Sequence, residues 1–357
     1  MKLKQRIGLE ISRLIRDNNK QLHPLRQLFW ESTLRYNLKC RHCGSDCTLV
    51  NEQMPDMPLQ DFLKVLDESV TPHVNPNEVL IIVSGGEPLM RNDLEECGLQ
   101  FKKRGYPWGM VTNGLALTPQ RFSALLNSGL RSISVSLDGF EDDHNWMRGH
   151  EKSFQNASNA IRMIAQTKGL AWDIITCVNN RNIKYLDKLK DYVVSLGVKN
   201  WRLVTIAPMG RAKTDPELQL SNADFRYLMN FIKTTREEGI VRTSYGCEGF
   251  LGDYENLVRD HYYQCIAGIS VASVLIDGSI SACTSIRGKY YQGNIYHDDF
   301  WDVWENCFEP YRNRKWMKKL EPCNTCKLFR YCEGNGMHLR DEDGKLLVCH
   351  YKRLTED

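Results

Sequence analysis

Three thiols fall within the loop Tyr36-Asn37-Leu38-Lys39-Cys40-Arg41-His42-Cys43-Gly44-Ser45-Asp46-Cys47, directly after the apolar run Leu28-Phe29-Trp30. Thiolates this close together suit a soft metal or an iron–sulfur centre. The other ten of the thirteen cysteines are distributed unevenly. Cys97 and Cys177 stand alone, whereas residues 247, 265, 283, 307, 323, 326, 332 and 349 crowd the last third. Clustering of this kind reads as metal ligation in a reducing compartment rather than as a disulfide framework. The segment Met1–Lys20 lacks a signal-peptide core, and no run is apolar enough to span a bilayer, so a cytoplasmic protein is expected. A formal net charge of +3 over 357 residues leaves no electrostatic footprint for nucleic acid or for a membrane.

Two further groups of residues carry chemical potential. Ser84-Gly85-Gly86-Glu87-Pro88 ends the apolar run Val79–Val83. Paired glycines allow a sharp turn and close approach to a ligand, and Glu87 offers a fixed carboxylate to a cation; a plain strand-end turn is the simpler reading. In Ser132-Ile133-Ser134-Val135-Ser136-Leu137-Asp138-Gly139 the serines share one strand face. Arg148 follows, with a planar fork matched to a carboxylate, or else with a surface ion pair to Asp142 or Asp143. Thr112-Asn113-Gly114 and Val178-Asn179-Asn180 place amides at strand ends, where turn chemistry explains them equally well.

These residues sit on an alternating pattern. Strands are expected at Leu28–Thr33, Val79–Ser84, Gly109–Thr112, Ser132–Leu137, Trp172–Val178 and Trp201–Ile206. Helices are expected at Leu59–Val70, Asn92–Lys103, Pro119–Asn127, Ser153–Thr167, Lys184–Ser195 and Asn222–Arg236. Right-handed βαβ units of this kind make a parallel sheet, and six of them make an α/β fold of the partial (βα)6 TIM-like type. The alternation stops near residues 237–240, where short β-like pieces surround Gly278. The expected divisions are a helical extension at 1–27 (a cap over a barrel end), a barrel at 28–237, and a cysteine-rich module at 238–357.

The loop after the first strand, with Gly85-Gly86-Glu87-Pro88 after the second, resembles the radical SAM barrel. Its C-x3-C-x2-C pattern is in register at Cys40 and Cys43, but the first position is Tyr36. Cys265, Gly278 and Cys283, then Cys323, Cys326, Cys332 and Cys349, resemble the SPASM module. The resemblance implies a barrel [4Fe–4S] cluster on Cys40, Cys43 and a third ligand. Cys47 supplies that ligand if the loop swings in; otherwise the cluster is compromised, and the Tyr36 phenolate is disfavoured by its high ordinary pKa. It further implies that S-adenosylmethionine is held by Gly85, Gly86, Glu87, Asn113, Ser136 and Arg148, with Glu87 at the methionine amino group and Ser136 and Arg148 at its carboxylate. One auxiliary [4Fe–4S] cluster would use Cys323, Cys326, Cys332 and Cys349. A second would have only Cys265, Cys283 and, less securely, Cys247, because Gly336 replaces an expected cysteine; an imidazole such as His338 could complete it, or the site could be empty.

The wider text, Leu28 to Cys47 with Gly334-Asn335-Gly336-Met337-His338-Leu339, is similar to the radical SAM enzyme of the rSAM/lipoprotein system. That similarity makes Gly336 a subfamily trait and Tyr36 a departure. The implied activity is reductive cleavage of S-adenosylmethionine to modify a peptide or protein, supplied with electrons by a flavodoxin or ferredoxin. A sulfatase-maturase role is marked down because Thr284, not Asp, follows Cys283. A non-catalytic iron–sulfur or zinc scaffold is the rival, since Cys323, Cys326, Cys332 and Cys349 also suit one tetrahedral Zn²⁺. Cys97, Cys177 and Cys307 are expected to be packed rather than ligating.

Overall fold

The computed structural model describes residues 3–44, 54–246, 249–286 and 289–356. Six parallel strands form the centre of the sheet: β1 (Gln27–Thr33), β2 (Leu80–Gly85), β3 (Trp108–Thr112), β4 (Leu130–Ser136), β5 (Ala171–Val178) and β6 (Asn200–Thr205). Each matches an expected strand within about two residues. Their two faces differ because alternate side chains point to opposite sides. On β2, Ile81 and Val83 are fully buried against helices, whereas Leu80, Ile82 and Ser84 are half-buried along the lumen. On the helix side, Trp30 stacks on Phe62 with ring centres 4.8 Å apart and meets Phe101 edge-on at 5.8 Å. Arg91 covers Trp30 at 4.8 Å. Aromatic pairs of this geometry add about 0.5–1.5 kcal/mol beyond their buried area.

Two helices depart from expectation. The segment Leu59–Val70 is α-helical only to Lys64 and continues as a π-helix over Val65–Val70. The wider turn lets Val65, Leu66, Ser69 and Val70 all bury, with Ser69 Oγ donating to Asp299. The helix Glu141–Arg148 has no counterpart in the sequence reading, because its only strongly apolar residues are Trp146 and Met147. It is favoured instead by Glu141, Asp142 and Asp143 in its first turn, where the helix dipole welcomes negative charge, and by Gly149 closing it at φ 68°.

Past residue 237 the chain keeps adding to the same sheet. Strand β7 (Arg242–Tyr245) pairs with β6, while β8 (Val271–Val274) pairs in parallel with β1 on the other side. A hairpin turned at Gly278, where φ is 82°, leads to β9 (Ser279–Ser281), and β10 (Gly293–Asn294) pairs with β9. The order is β10-β9-β8-β1-β2-β3-β4-β5-β6-β7. Glu31 Oε2 on β1 accepts from the Ile276 amide at 3.1 Å, tying the first strand to the turn after β8.

The N-terminal helix Leu3–Leu22 lies against the cysteine-rich region through its polar face. Arg16 donates to the carbonyls of Tyr331 and Arg330, Lys20 pairs with Glu333, and Gln5 reaches the carbonyls of Gly252, Asp253 and Glu255. Leu3, Ile7, Ile11, Leu14, Ile15 and Leu22 face solvent.

Because one hydrogen-bonded sheet runs through the barrel and the cysteine-rich region, both should melt together. Urea unfolding followed by far-UV circular dichroism and by tryptophan fluorescence is expected to give coincident transitions; two separated midpoints would count against this.

Candidate active site and cysteine centres

The loops leaving β1, β2 and β3 are stitched into one surface. The Gly86 amide donates to Thr33 O at 2.8 Å and the Glu87 amide to Arg35 O at 2.9 Å. A Cβ on Gly86 would stand 2.1 Å from Arg35 O, and one on Gly85, at φ +131°, 2.0 Å from Thr33 O. Both glycines are therefore required by the chain's approach to itself, a reason the sequence alone did not reveal. The buried Glu87 carboxylate accepts from Thr112 Oγ1 at 2.7 Å, the Asn113 amide at 2.9 Å and the Leu89 amide at 3.2 Å. Burial raises its pKa, and these donors oppose the rise. Asn113 in turn donates through Nδ2 to Asn37 Oδ1 at 2.8 Å, reaching back to the cysteine loop.

Arg148 is not in a surface ion pair. Its Nε donates to Asp138 Oδ2 at 2.7 Å, and the side chain of Asp138 is wholly buried. Asp143, one of the partners expected for it, instead bonds Arg181 Nε at 2.7 Å. The Arg148 Nη1 points at Cys40 Sγ, 3.8 Å away. Asp138 Oδ1 accepts from the Cys177 amide at 2.9 Å, and its backbone carbonyl accepts from Asn182 Nδ2 at 2.7 Å. Burial works against the Asp138 charge, but Arg148, with His42 and His144 nearby, outweighs it and holds the carboxyl at about 2. Burial pushes His144 down to about 3 and His42 to about 4, so both imidazoles are neutral near pH 7. The His144 Nδ1 accepts from the Asp138 amide at 2.9 Å, which assigns its proton to Nε2, 3.0 Å from Ser153 Oγ.

The cysteine loop itself rests on the helix Glu141–Arg148. The Arg41 amide donates to Met147 O at 2.9 Å, and Arg41 and Arg181 lie over the Trp146 ring at 4.4 and 4.5 Å. Cys40 and Cys43 are half-buried and Tyr36 packs against the core. Cys47 lies outside the described residues. Ser136 ends β4 two positions before Asp138 and is buried. Lower in the lumen Ser134 donates to Asp173 at 2.6 Å, and Asp173 pairs with Arg202 at 2.8 Å.

Cys323, Cys326, Cys332 and Cys349 together line a cavity of about 310 Å³. Among the described residues no three His, Cys, Asp or Glu side chains converge as they would on a single ion. The four thiols line one cavity, and their type and number suit an iron–sulfur cluster as well as one Zn²⁺. Arg340 Nη2 donates to Cys323 Sγ at 3.3 Å, and Cys332 Sγ meets Asn335 Oδ1 at 3.4 Å. Cys265 is buried and Cys283 half-buried; Cys247 lies outside the described residues. The buried guanidinium of Arg314 lies near Cys265, and its Nη2 has no hydrogen-bond partner at ordinary distance among the described residues. An orphaned donor of this kind fits an anionic group there. His338 is pushed down to about 4 by burial and by Arg314, and is neutral.

Cys97 is buried as expected, and burial raises its thiol to about 12. Cys307 is a correction: Phe300, Trp304 and Phe308 are packed, but the thiol ends the helix Phe300–Asn306 in an exposed position. Cys177 is half-buried rather than fully packed.

The sequence model of the Radical SAM superfamily matches residues 33–193, and that of the SPASM iron–sulfur cluster-binding domain matches 265–327. The chain is a radical SAM/SPASM domain protein. Its barrel type therefore takes a [4Fe–4S] cluster with S-adenosylmethionine, and its SPASM domain takes auxiliary iron–sulfur clusters. Among relatives, the AdoMet-dependent heme synthase of Methanosarcina barkeri is 26% identical over 87% of this chain and 90% of its own. In fold it is similar to anSMEcpe with bound AdoMet and Kp18Cys peptide, at a TM-score of 0.71, 20% identity, and coverage of 93% of this chain and 95% of that one. It is also similar to Streptococcus suis SuiB bound to precursor peptide SuiA, at 0.69, 16%, 93% and 77%.

The buried polar residues beside Arg148 that sequence reasoning did not assign are Asp138 and His144. The Leu137-Asp138-Gly139 ending of β4 was the available signal.

Replacing Asp138→Asn leaves Arg148 buried without its counter-ion and should cost about 3–5 kcal/mol, read as a lowered urea midpoint at pH 7. Adding Arg148→Met should recover part of that loss. The folded Asp138 carboxyl lies below its ordinary value of about 3.9. Its contribution is therefore complete above about pH 4 and is lost as pH falls through about 2. Equal stability of the wild type and Asp138→Asn at pH 7 would contradict the assignment.

Proposed function

We propose that this chain cleaves S-adenosylmethionine reductively and uses the resulting radical to abstract hydrogen from a peptide or protein. The observation that carries the reading is the Cys40–Arg148–Asp138 arrangement at the mouth of the lumen, placed where the loops of β1, β2 and β3 meet. Cys40, Cys43 and Cys47 would hold the barrel cluster. Gly85, Gly86, Glu87, Asn113, Ser136 and Arg148 would hold S-adenosylmethionine. When reduced, the bound cluster supplies the electron that splits S-adenosylmethionine into methionine and a 5′-deoxyadenosyl radical.

The protein's own part is positional. Asp138 fixes the Arg148 fork so that it serves both Cys40 and a carboxylate presented from the lumen. Glu87 holds Asn113 and the β3 loop, and through Asn37 the cysteine loop, in one arrangement. Three acceptor positions of Glu87 are used, of about four available, which leaves room for one cationic donor.

The two peptide-bound structures of similar fold support a peptide or protein substrate, and a low-potential flavodoxin or ferredoxin is the matching electron source. The C-terminal clusters relay electrons or anchor substrate. The heme synthase relative favours a second reading, in which a tetrapyrrole occupies the lumen. No helix among the described residues is long and apolar enough to cross a membrane, and thirteen cysteines suit a reducing cytoplasm.

Anaerobic reconstitution of the wild type, Cys47→Ala, Tyr36→Cys and the double variant tests the reading. The wild type should bind about eight irons per chain and release 5′-deoxyadenosine on reduction. Cys47→Ala should lose about four irons and the nucleoside, and Tyr36→Cys should restore both. About four irons in the wild type with no 5′-deoxyadenosine would instead make it a scaffold, and zinc without iron would remove the cluster assignments. Stimulation of 5′-deoxyadenosine release by a tetrapyrrole, and not by peptide, would reverse the substrate choice.

A further inference from the structure

Arg340 is 2% exposed, yet no carboxylate among the described residues lies within ion-pair distance of it. Its donors go to the carbonyls of Gly334 and Gly344 and to Cys323 Sγ at 3.3 Å. Arg340 reaches the four-cysteine cavity through Cys323, whereas the cations that line that cavity are differently placed: Lys352 pairs with Glu356 at 3.4 Å, and Lys327 is exposed to water. A guanidinium taken out of water needs a negative partner to remain folded there. Carbonyl dipoles satisfy its N–H groups but not its charge. The sulfur of Cys323 is the contact able to carry a full negative charge.

The barrel site differs. Arg148 also faces a cysteine, but Asp138 already neutralises it at 2.7 Å. A cluster gains one negative charge on one-electron reduction, so an uncompensated cation at hydrogen-bond distance stabilises the reduced form, whereas a compensated one does so far less.

We propose that Arg340 is the charge partner of the Cys323–Cys326–Cys332–Cys349 cluster, raising its reduction potential. Arg340 is a positioning residue in this role, acting through Cys323. Arg314, near Cys265 at the second cysteine group, is likewise a buried guanidinium with no carboxylate at ion-pair distance among the described residues.

The test uses the full-length chain carrying Cys40→Ala and Cys43→Ala, so that only C-terminal clusters are read. An EPR-monitored titration with dithionite compares this parent with Arg340→Gln and Arg340→Lys, the signal being assigned by its loss in Cys326→Ala. Arg340→Gln should shift the one-electron equilibrium at least tenfold toward the oxidised form, about 59 mV more negative. Arg340→Lys, which restores charge but not the fork, should stay within about threefold of the parent, less than half that shift. Loss of iron in Arg340→Gln alone would also support a charge role. An unmoved potential in Arg340→Gln, equal shifts in both variants, or loss of iron in both would reduce Arg340 to a staple between two carbonyls and overturn the proposal.

Discussion

A carboxylate and a guanidinium that meet out of water at the end of β4 hold the upper half of this molecule in place. Asp138 cannot be charged at that depth without Arg148, and Arg148 reaches it only because the helix Glu141–Arg148 ends there. The same helix carries Trp146 and the Met147 carbonyl, on which the cysteine loop rests. The pair thus does more than present a cation to Cys40. Through that helix it sets where Cys40 and Arg41 of the loop lie.

From β1 to β6 the fold was legible in the sequence because short apolar runs, each followed by a helical segment, mark successive βαβ units. The helix Glu141–Arg148 was not, since its buried stripe is made by His144, Met147 and Arg148, of which only Met147 is apolar; the acids of its first turn and Gly149 at its end favour it as a helix. The continuation of the sheet past residue 237 was equally hidden. Strands of two to four residues are too short to announce a partner, and pairing of β8 with β1 spans more than two hundred positions of chain.

The site divides in the same way. Glu87, Arg148 and the C-terminal cysteines were recognisable by type and spacing, but their partners were not. Nothing in the text around Gly85 and Gly86 says that the surface they approach is the backbone of Thr33 and Arg35. Nothing around Asp138 says that it is buried. Burial and long-range pairing are properties of the folded chain, whereas ligand spacing is a property of the text. That difference also explains Cys307, where packed aromatic neighbours surround a thiol that the helix end turns outward.

The ladder between β1 and β8 carries a kinetic meaning. The strand that feeds the barrel cysteine loop is hydrogen-bonded, residue for residue from Gln27 to Trp30, to the strand that follows Cys265. Electron tunnelling falls off exponentially with separation, so a flexible tether would make its rate depend on chance approach. Here the span between the two metal-binding regions is set by backbone geometry and cannot open without tearing the sheet. The rate of any exchange along that path is then governed by driving force and reorganisation, not by motion of one part toward the other.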